Sequence, residues 1–250
     1  MNHENNNVWK SDSTAQDYLK GTRDAIPLAT EQIRVIQKIV QKAVPKVSKI
    51  LDIGCGDGIL GSKLLEYYPE ATLILTDLSH EMLKAAKIRM EKYHSSTKIR
   101  YIEADMSDSL WELSMKENAP YDVIVSGLAI HHLTHRRKKQ IYGEIYDLLA
   151  PKGIFINLER VESKSSLGET LNAENYIDSL YDHHKNNDPS VNREEIANQY
   201  FYRPLKQSNI LASVEMQTKW LEELGYKNVD IFFKIFEIAI FGGTKRPLDA

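Results

Sequence analysis

The sequence is poor in cysteine and has no long apolar run. Its single cysteine, Cys55, excludes an intrachain disulfide and a zinc site built on cysteine ligands. No stretch approaches 18 consecutive apolar residues, the length that predicts a membrane-spanning helix. The first seven residues, MNHENNN, are polar and do not resemble a signal peptide, in which an apolar segment follows a basic start. A cytoplasmic protein without a membrane segment is therefore the expectation.

The sequence also lacks a surplus of positive charge. With 32 Lys and Arg against 35 Asp and Glu, the formal net charge is −3 at pH 7, whereas nucleic-acid-binding domains usually carry a basic face. The main basic run, HRRKK at residues 135–139, lies at the start of a predicted helix. We interpret this run as a solvated helix face, so nucleic acid is not the favoured partner.

Predicted strands and helices alternate in the middle of the chain. At 250 residues, 42% of them hydrophobic, the composition fits one globular domain with insertions, and two small domains would also fit. Five short runs are predominantly apolar, which is typical of a parallel sheet buried on both faces. These runs lie at residues 50–53, 72–76, 99–102, 121–125 and 154–158, and helices are predicted over 13–19, 30–43, 59–68, 79–93 and 136–149.

The alternation stops after Arg160. Residues 161 to 212 are polar, show no strand pattern and are predicted to be partly helical. A helix is then predicted over 214–224, with Gly225 as its stop. Two closely spaced apolar runs at 229–233 and 236–241 predict an antiparallel hairpin that breaks near Lys234.

A glycine-rich loop, LDIGCGDG at residues 51–58, follows the first predicted strand. Glycine lets the chain turn sharply there and lets a ligand approach the backbone. A dinucleotide loop grips a pyrophosphate at this place, but Asp52 and Asp57 would repel a phosphate and instead suit a cationic group such as an amine or a sulfonium. Asp77 ends the next strand, where a carboxylate can accept hydrogen bonds from ribose hydroxyls. Asp105 follows the third strand and could accept a hydrogen bond from an adenine amino group. For Asp77 and Asp105 alike, the alternative is that the side chain only caps a helix.

These segments resemble the S-adenosylmethionine site of class I methyltransferases, and the likeness is strong over residues 50–158. Besides the glycine loop and Asp77, it is carried by three segments: Ala104-Asp105-Met106, Tyr121 to Ser126 running into Ile130-His131-His132-Leu133, and the turn Pro151-Lys152-Gly153. The family implies an α/β fold with a Rossmann-like seven-stranded sheet whose last strand is antiparallel. Helices would cover both faces, with N-terminal helices and a helical insertion before the last two strands.

The resemblance also implies roles for single residues. The glycine loop would line the methionine moiety, the acid after the second strand would hold the ribose, and the end of the third strand would contact the adenine. The cofactor implied is S-adenosyl-L-methionine, and no metal is expected. The implied cofactor-binding residues are Asp52, Gly54, Cys55, Gly56, Asp77, Leu78, Asp105, Met106, Ser126 and Gly127.

The C-terminal half is similar to carboxy-S-adenosylmethionine synthases, bacterial enzymes of this fold that serve tRNA wobble-uridine modification. The segment DHHK at 182–185 and Arg203 carry this likeness, and in that family an arginine near the position of Arg203 binds the cofactor's extra carboxylate. The chain departs from the synthases at Gly56, where they have a serine, and near Gly127 and Ala29, where they have an asparagine and a tyrosine. These departures favour a related methyltransferase over the synthase itself.

Few residues are candidates for catalysis and acceptor binding. Methyl transfer mainly requires that the nucleophile be aligned with the methyl group, and a general base is needed only where the acceptor loses a proton. His131 and His132 follow the fourth strand and are the candidate bases, with a role in shaping the loop as the alternative. The candidate substrate contacts are Arg203, Tyr202 and Arg23.

We therefore expect one methyltransferase domain over residues 1–250. Its parts would be an N-terminal helical cover (1–45), a cofactor-binding core (46–160), a helical substrate lid (161–212) and a closing helix and hairpin (213–245). The expected activity is methyl transfer to a small-molecule acceptor that can bear a carboxylate. Carboxy-S-adenosylmethionine synthesis and tRNA modification stay as alternatives, and a homodimer is left open.

Overall fold

The computed structural model describes residues 26–93, 98–202, 206 and 208–247. The helix predicted over 13–19, Arg23 and Arg203 lie outside these residues. The described part forms a seven-stranded sheet in the order β3-β2-β1-β4-β5-β7-β6. The strands are β1 (Lys49–Ile53), β2 (Thr72–Asp77), β3 (Ile99–Glu103), β4 (Tyr121–Gly127), β5 (Leu149–Arg160), β6 (Lys227–Ile235) and β7 (Ile238–Thr244).

The strand directions confirm the predicted fold class. Strands β1 to β5 pair in parallel with their neighbours, whereas β7 lies antiparallel between β5 and β6. The order reverses between β1 and β4, because β2 and β3 lie to one side of β1 while β4 and β5 lie to the other. Ligands of open parallel sheets bind at such a switch point, outside the carboxyl ends of the strands.

Helices cover both faces of the sheet because successive strand side chains point to opposite faces and both sets are apolar. Ile50 packs in the core beneath α1, α2 and α3, whereas the next residue, Leu51, packs in the core beneath α4, α5 and α8. The helices are α1 (Ala29–Ala43), α2 (Ile59–Leu65), α3 (His80–Met90), α4 (Trp111–Lys116), α5 (His135–Leu148), α6 (Ser166–Asn187), α7 (Arg193–Tyr202) and α8 (Val214–Glu223).

The insertion after β5 consists of α6 and α7, with no strand among its described residues. The two helices share a small core of their own, in which Tyr176 and Ile177 of α6 pack with Ile196 and Tyr200 of α7. The guanidinium of Arg160, at the end of β5, stacks 4.2 Å from the ring centre of Tyr176. The insertion is thus packed onto the carboxyl edge of the sheet.

Four local predictions differ from the structure. The hairpin turns at Phe236 and Glu237 rather than near Lys234, because β6 continues to Ile235 and Phe236 adopts a φ of 46°. The predicted turn at 151–153 is an irregularity inside β5, where the pairing with β4 shifts register. The helix predicted over 59–68 ends at Leu65, and α4 was not predicted. No helix among the described residues combines the length and apolarity needed to cross a membrane.

Candidate functional site

A cleft opens at the carboxyl edge of the sheet, beside the switch point between β1 and β4. It encloses about 810 Å³, counting the solvent at its mouth. Loops after β1, β2, β3 and β4 form its walls. The lining residues are Ile53, Gly54, Cys55, Gly56, Asp57, Thr76, Asp77, Leu78, Met82, Ala104, Met106, Trp111, Gly127, Leu128, Ala129, His132 and Leu133.

The glycine loop forms the wall after β1. Gly54 and Gly56 have φ angles of 60° and 54°, in the left-handed region that glycine enters without steric cost. The loop is tied to β2, because the Cys55 N–H donates to the carbonyl of Thr76 at 3.0 Å. A Cβ built at Gly54 would lie 2.4 Å from the Cβ of Ala129, whereas a Cβ at Gly56 would meet no atom within 4 Å. Only a glycine therefore lets the loop pack this closely against the segment after β4.

This difference predicts unequal effects of two matched substitutions. Both Gly54→Ala and Gly56→Ala should lower the free energy of unfolding by about 1–2 kcal/mol, because alanine is strained at a left-handed φ. In Gly54→Ala the free energy of unfolding should fall by about 1–3 kcal/mol more, because the new methyl group overpacks against Ala129. Urea unfolding of the two variants measures the difference, and equal losses would contradict the packing described here.

Asp77 occupies the wall after β2. One carboxylate oxygen accepts a hydrogen bond from the Gly56 N–H, and the other accepts one from the Ser79 N–H, each at 2.9 Å. The side chain thereby joins the glycine loop to the start of α3 and still faces the cleft. Burial raises the pKa of Asp77, and the backbone hydrogen bonds oppose that rise.

The two acids of the glycine loop have different environments, and the cofactor contact predicted for Asp52 stays a prediction. Asp52 is buried outside the cleft lining, and its carboxylate accepts from the Gly61 N–H of α2 at 2.9 Å. Asp57 does line the cleft, but its carboxylate forms an ion pair with Arg89. The charge of Asp57 is thus already compensated. Asp77 faces the cleft, and among the described residues its carboxylate forms no ion pair with a lysine or an arginine.

An apolar wall formed by Leu78, Met106 and Trp111 lies beyond Asp77. Trp111 lines the cleft but was not predicted from the sequence, because the short helix α4 was not predicted. Asp105 lies outside the lining, and its carboxylate accepts from the Ser107 N–H at 2.9 Å. This contact closes a local turn and is not a helix cap, since the next helix, α4, begins only at Trp111. An adenine contact by Asp105 stays a prediction.

The basic run at the start of α5 is partly buried, which corrects its interpretation as a solvated face. Arg137 forms a bidentate pair with Glu144 at 2.6 and 2.7 Å. It also donates to the carbonyl of Met106 at 2.9 Å. Glu144 in turn accepts from the indole N–H of Trp111 at 2.6 Å. Arg137 therefore supports the apolar wall of the cleft from behind.

The end of β4 contributes a floor to the cleft. Gly127 belongs to the lining, whereas Ser126 is fully buried outside it and donates its hydroxyl to the carbonyl of Ile53 at 2.9 Å. Cys55 lines the cleft, and burial raises the pKa of its thiol well above its ordinary value. A protonated thiol is a poor nucleophile, which fits a packing role for this cysteine.

The two histidines after β4 have different environments. His132 belongs to the cleft lining, and its Nδ1 lies 3.2 Å from the hydroxyl of Ser208. His131 lies outside the lining, with its Nδ1 2.6 Å from a carboxylate oxygen of Glu159. Burial, followed by the charge of His131, holds the pKa of His132 well below its usual range. The imidazole facing the cleft is therefore neutral at pH 7.

The predicted substrate contacts are not brought into the described cleft. Tyr202 is 77% exposed at the end of α7 and lies outside the lining. Arg23 and Arg203 lie outside the described residues, so all three assignments stay predictions. Among the described residues, no group of three or more His, Cys, Asp or Glu side chains is arranged to hold a metal ion.

Residues 50–153 match a family model described as a methyltransferase domain. The malonyl-[acyl-carrier protein] O-methyltransferase 2 of Ilyobacter polytropus is 28% identical over 44% of this chain and 39% of its own length. The chain thus spans well under two thirds of that relative. The carboxy-S-adenosyl-L-methionine synthase of Vibrio cholerae is 25% identical over 85% of this chain and 81% of its own length.

Solved structures show the same fold at low identity. An O-methyltransferase family protein from Burkholderia thailandensis superposes with a TM-score of 0.68 at 15% identity, covering 96% of this chain and 62% of that one. Human N-acetylserotonin methyltransferase in complex with SAM superposes with a TM-score of 0.62 at 13% identity. The superposition covers 96% of this chain and 58% of the human enzyme. At these identities the superpositions establish the fold alone.

Proposed function

We propose that this chain transfers a methyl group from S-adenosyl-L-methionine to a small-molecule acceptor. The match of residues 50–153 to a methyltransferase domain supports the proposal, and so does the fold shared with solved methyltransferases. The observation that carries the proposal is the cleft at the switch point, with the glycine loop on one side and the Asp77 carboxylate on the other. When bound, the cofactor supplies a methyl group already activated on a sulfonium.

The residues of the cleft fit this cofactor. Asp77 would hold the ribose hydroxyls, the apolar wall of Leu78, Met106 and Trp111 would cover the adenine, and the close-packed glycine loop would cradle the methionine end. Neither lysine nor arginine lines the described cleft, so no lining cation opposes a sulfonium.

His132 is the general base in this proposal, for acceptors that must lose a proton. Its imidazole is the one that faces the cleft, and its lowered pKa keeps it in the neutral form that can accept a proton. As the pH falls through that lowered pKa, the imidazole protonates and base catalysis is lost. His131 is turned toward Glu159 instead.

The insertion supplies the cover over the acceptor end. The segment at 208–212 approaches the loop after β4 that carries His131 and His132. The N–H of Ile210 donates to the carbonyl of His131 at 2.9 Å, and the hydroxyl of Ser208 lies against His132. We propose that residues 161–212 act as the substrate lid. A carboxylate on the acceptor would depend on Arg203, which follows α7 in the sequence.

Carboxy-S-adenosylmethionine synthesis is the second candidate, because the Vibrio cholerae synthase aligns over 85% of this chain. The tRNA alternative loses support, since Arg137 and Lys138 of the basic run are buried and Lys139 pairs with Glu223. Few charges of the run remain to contact phosphates.

Mass spectrometry tests both candidates. The purified protein is incubated with cofactor bearing a deuterated methyl group and a panel of hydroxyl, amine and carboxylate acceptors, and we expect a labelled methyl on one class. The ligand that copurifies should be the unmodified cofactor or its demethylated product. A heavier, carboxylated ligand would favour the synthase, and calorimetry showing no binding of S-adenosylhomocysteine would overturn both.

A further inference from the structure

A cluster of titratable side chains is buried behind the cleft wall that carries His132. Glu159 of β5 is fully buried, and its Oε1 lies 2.6 Å from Nδ1 of His131. The same oxygen accepts the Arg160 N–H at 2.8 Å. The His131 ring centre lies 4.0 Å from that of His132. Glu159 therefore connects to the cleft through the two imidazoles.

Lys138 of α5 holds the same loop from the other side. Its ammonium donates to the carbonyls of His131, Leu133 and Ile210, the first at 3.2 Å and the last at 2.7 Å. These three carbonyls would complete the hydrogen bonding of the ammonium by themselves. Glu159 is therefore not needed to satisfy Lys138 by a direct hydrogen bond.

The second oxygen of Glu159 strengthens the case for a role beyond folding. Oε2 is buried and accepts no hydrogen bond from the described residues. A buried carboxylate with one oxygen lacking such a bond is costly to the fold, and such groups are frequent where an enzyme needs a charge at a fixed place.

We propose that Glu159 is a positioning residue for methyl transfer, one that fixes His131 against His132 and stabilises the positive charge that His132 gains when it takes a proton from the acceptor. This role rests on the proposed function. The acceptor atom loses its proton to His132 as it bonds to the methyl carbon, and sulfur keeps the electron pair of the broken bond. The proposal therefore implies an acceptor that must lose a proton, a hydroxyl or a neutral N–H nitrogen, rather than a thioether or a tertiary amine.

The charges around the cluster have opposite effects on the pKa of His132. Burial and the charge of His131 lower its pKa, Glu159 raises it, and Lys138 lowers it. The titratable groups that face Glu159 are His131 and His132 after β4, and Lys138 and Tyr142 of α5. Burial raises the pKa of Glu159, and Lys138 opposes that rise. As the pH falls through this raised pKa, Glu159 protonates and His132 becomes the weaker base.

Nuclear magnetic resonance of the imidazoles tests the proposal in the full chain saturated with S-adenosylhomocysteine. In Glu159→Gln, which keeps the side-chain shape and removes the charge, the titration midpoint of His132 should move to lower pH. In Lys138→Met it should move to higher pH. Opposite movements in the two variants identify an electrostatic role, whereas a purely structural role would shift both in the same direction or neither.

The failures of the two proposals are distinguishable. If the wild type does not bind S-adenosylhomocysteine by calorimetry, the proposed function falls and the role of Glu159 falls with it. If it binds while the His132 midpoint is the same in the wild type and Glu159→Gln, the role of Glu159 alone is overturned. Circular dichroism and the affinity for S-adenosylhomocysteine check that each variant is folded, and the Gln variant decides the question if Lys138→Met does not fold.

Discussion

Asp77→Ala should weaken binding of S-adenosylhomocysteine by about 100-fold to 10,000-fold. Hydrogen bonds to a charged group contribute about 1.5–3 kcal/mol each, and the carboxylate would accept two from the ribose hydroxyls. Each 1.4 kcal/mol corresponds to about a tenfold change in affinity. The variant also removes the acceptors of the Gly56 and Ser79 N–H groups, so the glycine loop would be held less firmly. Isothermal titration calorimetry measures the loss.

Glu103→Gln is the matched control for this experiment. Glu103 is the direct register partner of Asp77 on the neighbouring strand. The Glu103 side chain is 59% exposed and does not line the cleft. Its Oε2 lies 3.2 Å from Nδ1 of His80. We expect its affinity for S-adenosylhomocysteine to stay within about twofold of the wild type, since exposed ion pairs contribute little. If Asp77→Ala binds within tenfold of the wild type, or Glu103→Gln binds as weakly as Asp77→Ala, the assignment of Asp77 is wrong.

Lowering the pH should weaken binding of S-adenosylhomocysteine at this site. Burial raises the pKa of Asp77, so the acid takes up a proton at a higher pH than an exposed aspartate. Protonation removes the negative charge that strengthens the hydrogen bonds to ribose. Affinity for S-adenosylhomocysteine should therefore fall as the pH falls toward the raised pKa, and Asp77→Asn should show a flatter dependence.

The sheet was predictable because its signals are local. Runs such as residues 72–76, with Leu73, Ile74 and Leu75 in succession, are predominantly apolar, and strands buried on both faces typically show that pattern. The glycine loop was predictable for a similar reason, since φ angles near 60° at Gly54 and Gly56 favour glycine. The antiparallel β7 was expected from the family resemblance together with the close spacing of the last two runs.

The site was less predictable because it depends on where side chains turn after the strands end. Asp52 and Asp77 are both acids at strand ends, yet Asp52 turns to the Gly61 N–H while Asp77 faces the cleft. Sequence position alone does not distinguish these two directions. Trp111 was missed because the six residues of α4 are too few to give a helical period.

The largest expected effect on stability is that of Arg137→Ala. Breaking a buried ion pair by removing one partner costs about 3–5 kcal/mol. We expect the lower end of that range here, because 19% of the Glu144 side chain is exposed and water can partly solvate the charge that is left. Here Glu144 would keep the indole N–H of Trp111 but lose both contacts to the guanidinium. The carbonyls of Met106 and Asp108 would also lose a donor. Thermal and urea unfolding should both show the loss, and affinity for S-adenosylhomocysteine should fall as the wall at Met106 loosens.

Arg136→Ala is the adjacent control. Adjacent residues on a helix point about 100° apart, so Arg136 is exposed whereas Arg137 is buried. Removing Arg136 should change the free energy of unfolding by no more than about 0.5 kcal/mol. Equal losses in the two variants would contradict the placement of Arg137 behind the cleft. The signal for it was in the sequence after all, because Glu144 lies seven residues later, on the same helical face. A basic run that includes an arginine with such a partner is better interpreted as support for a ligand site than as a surface for nucleic acid.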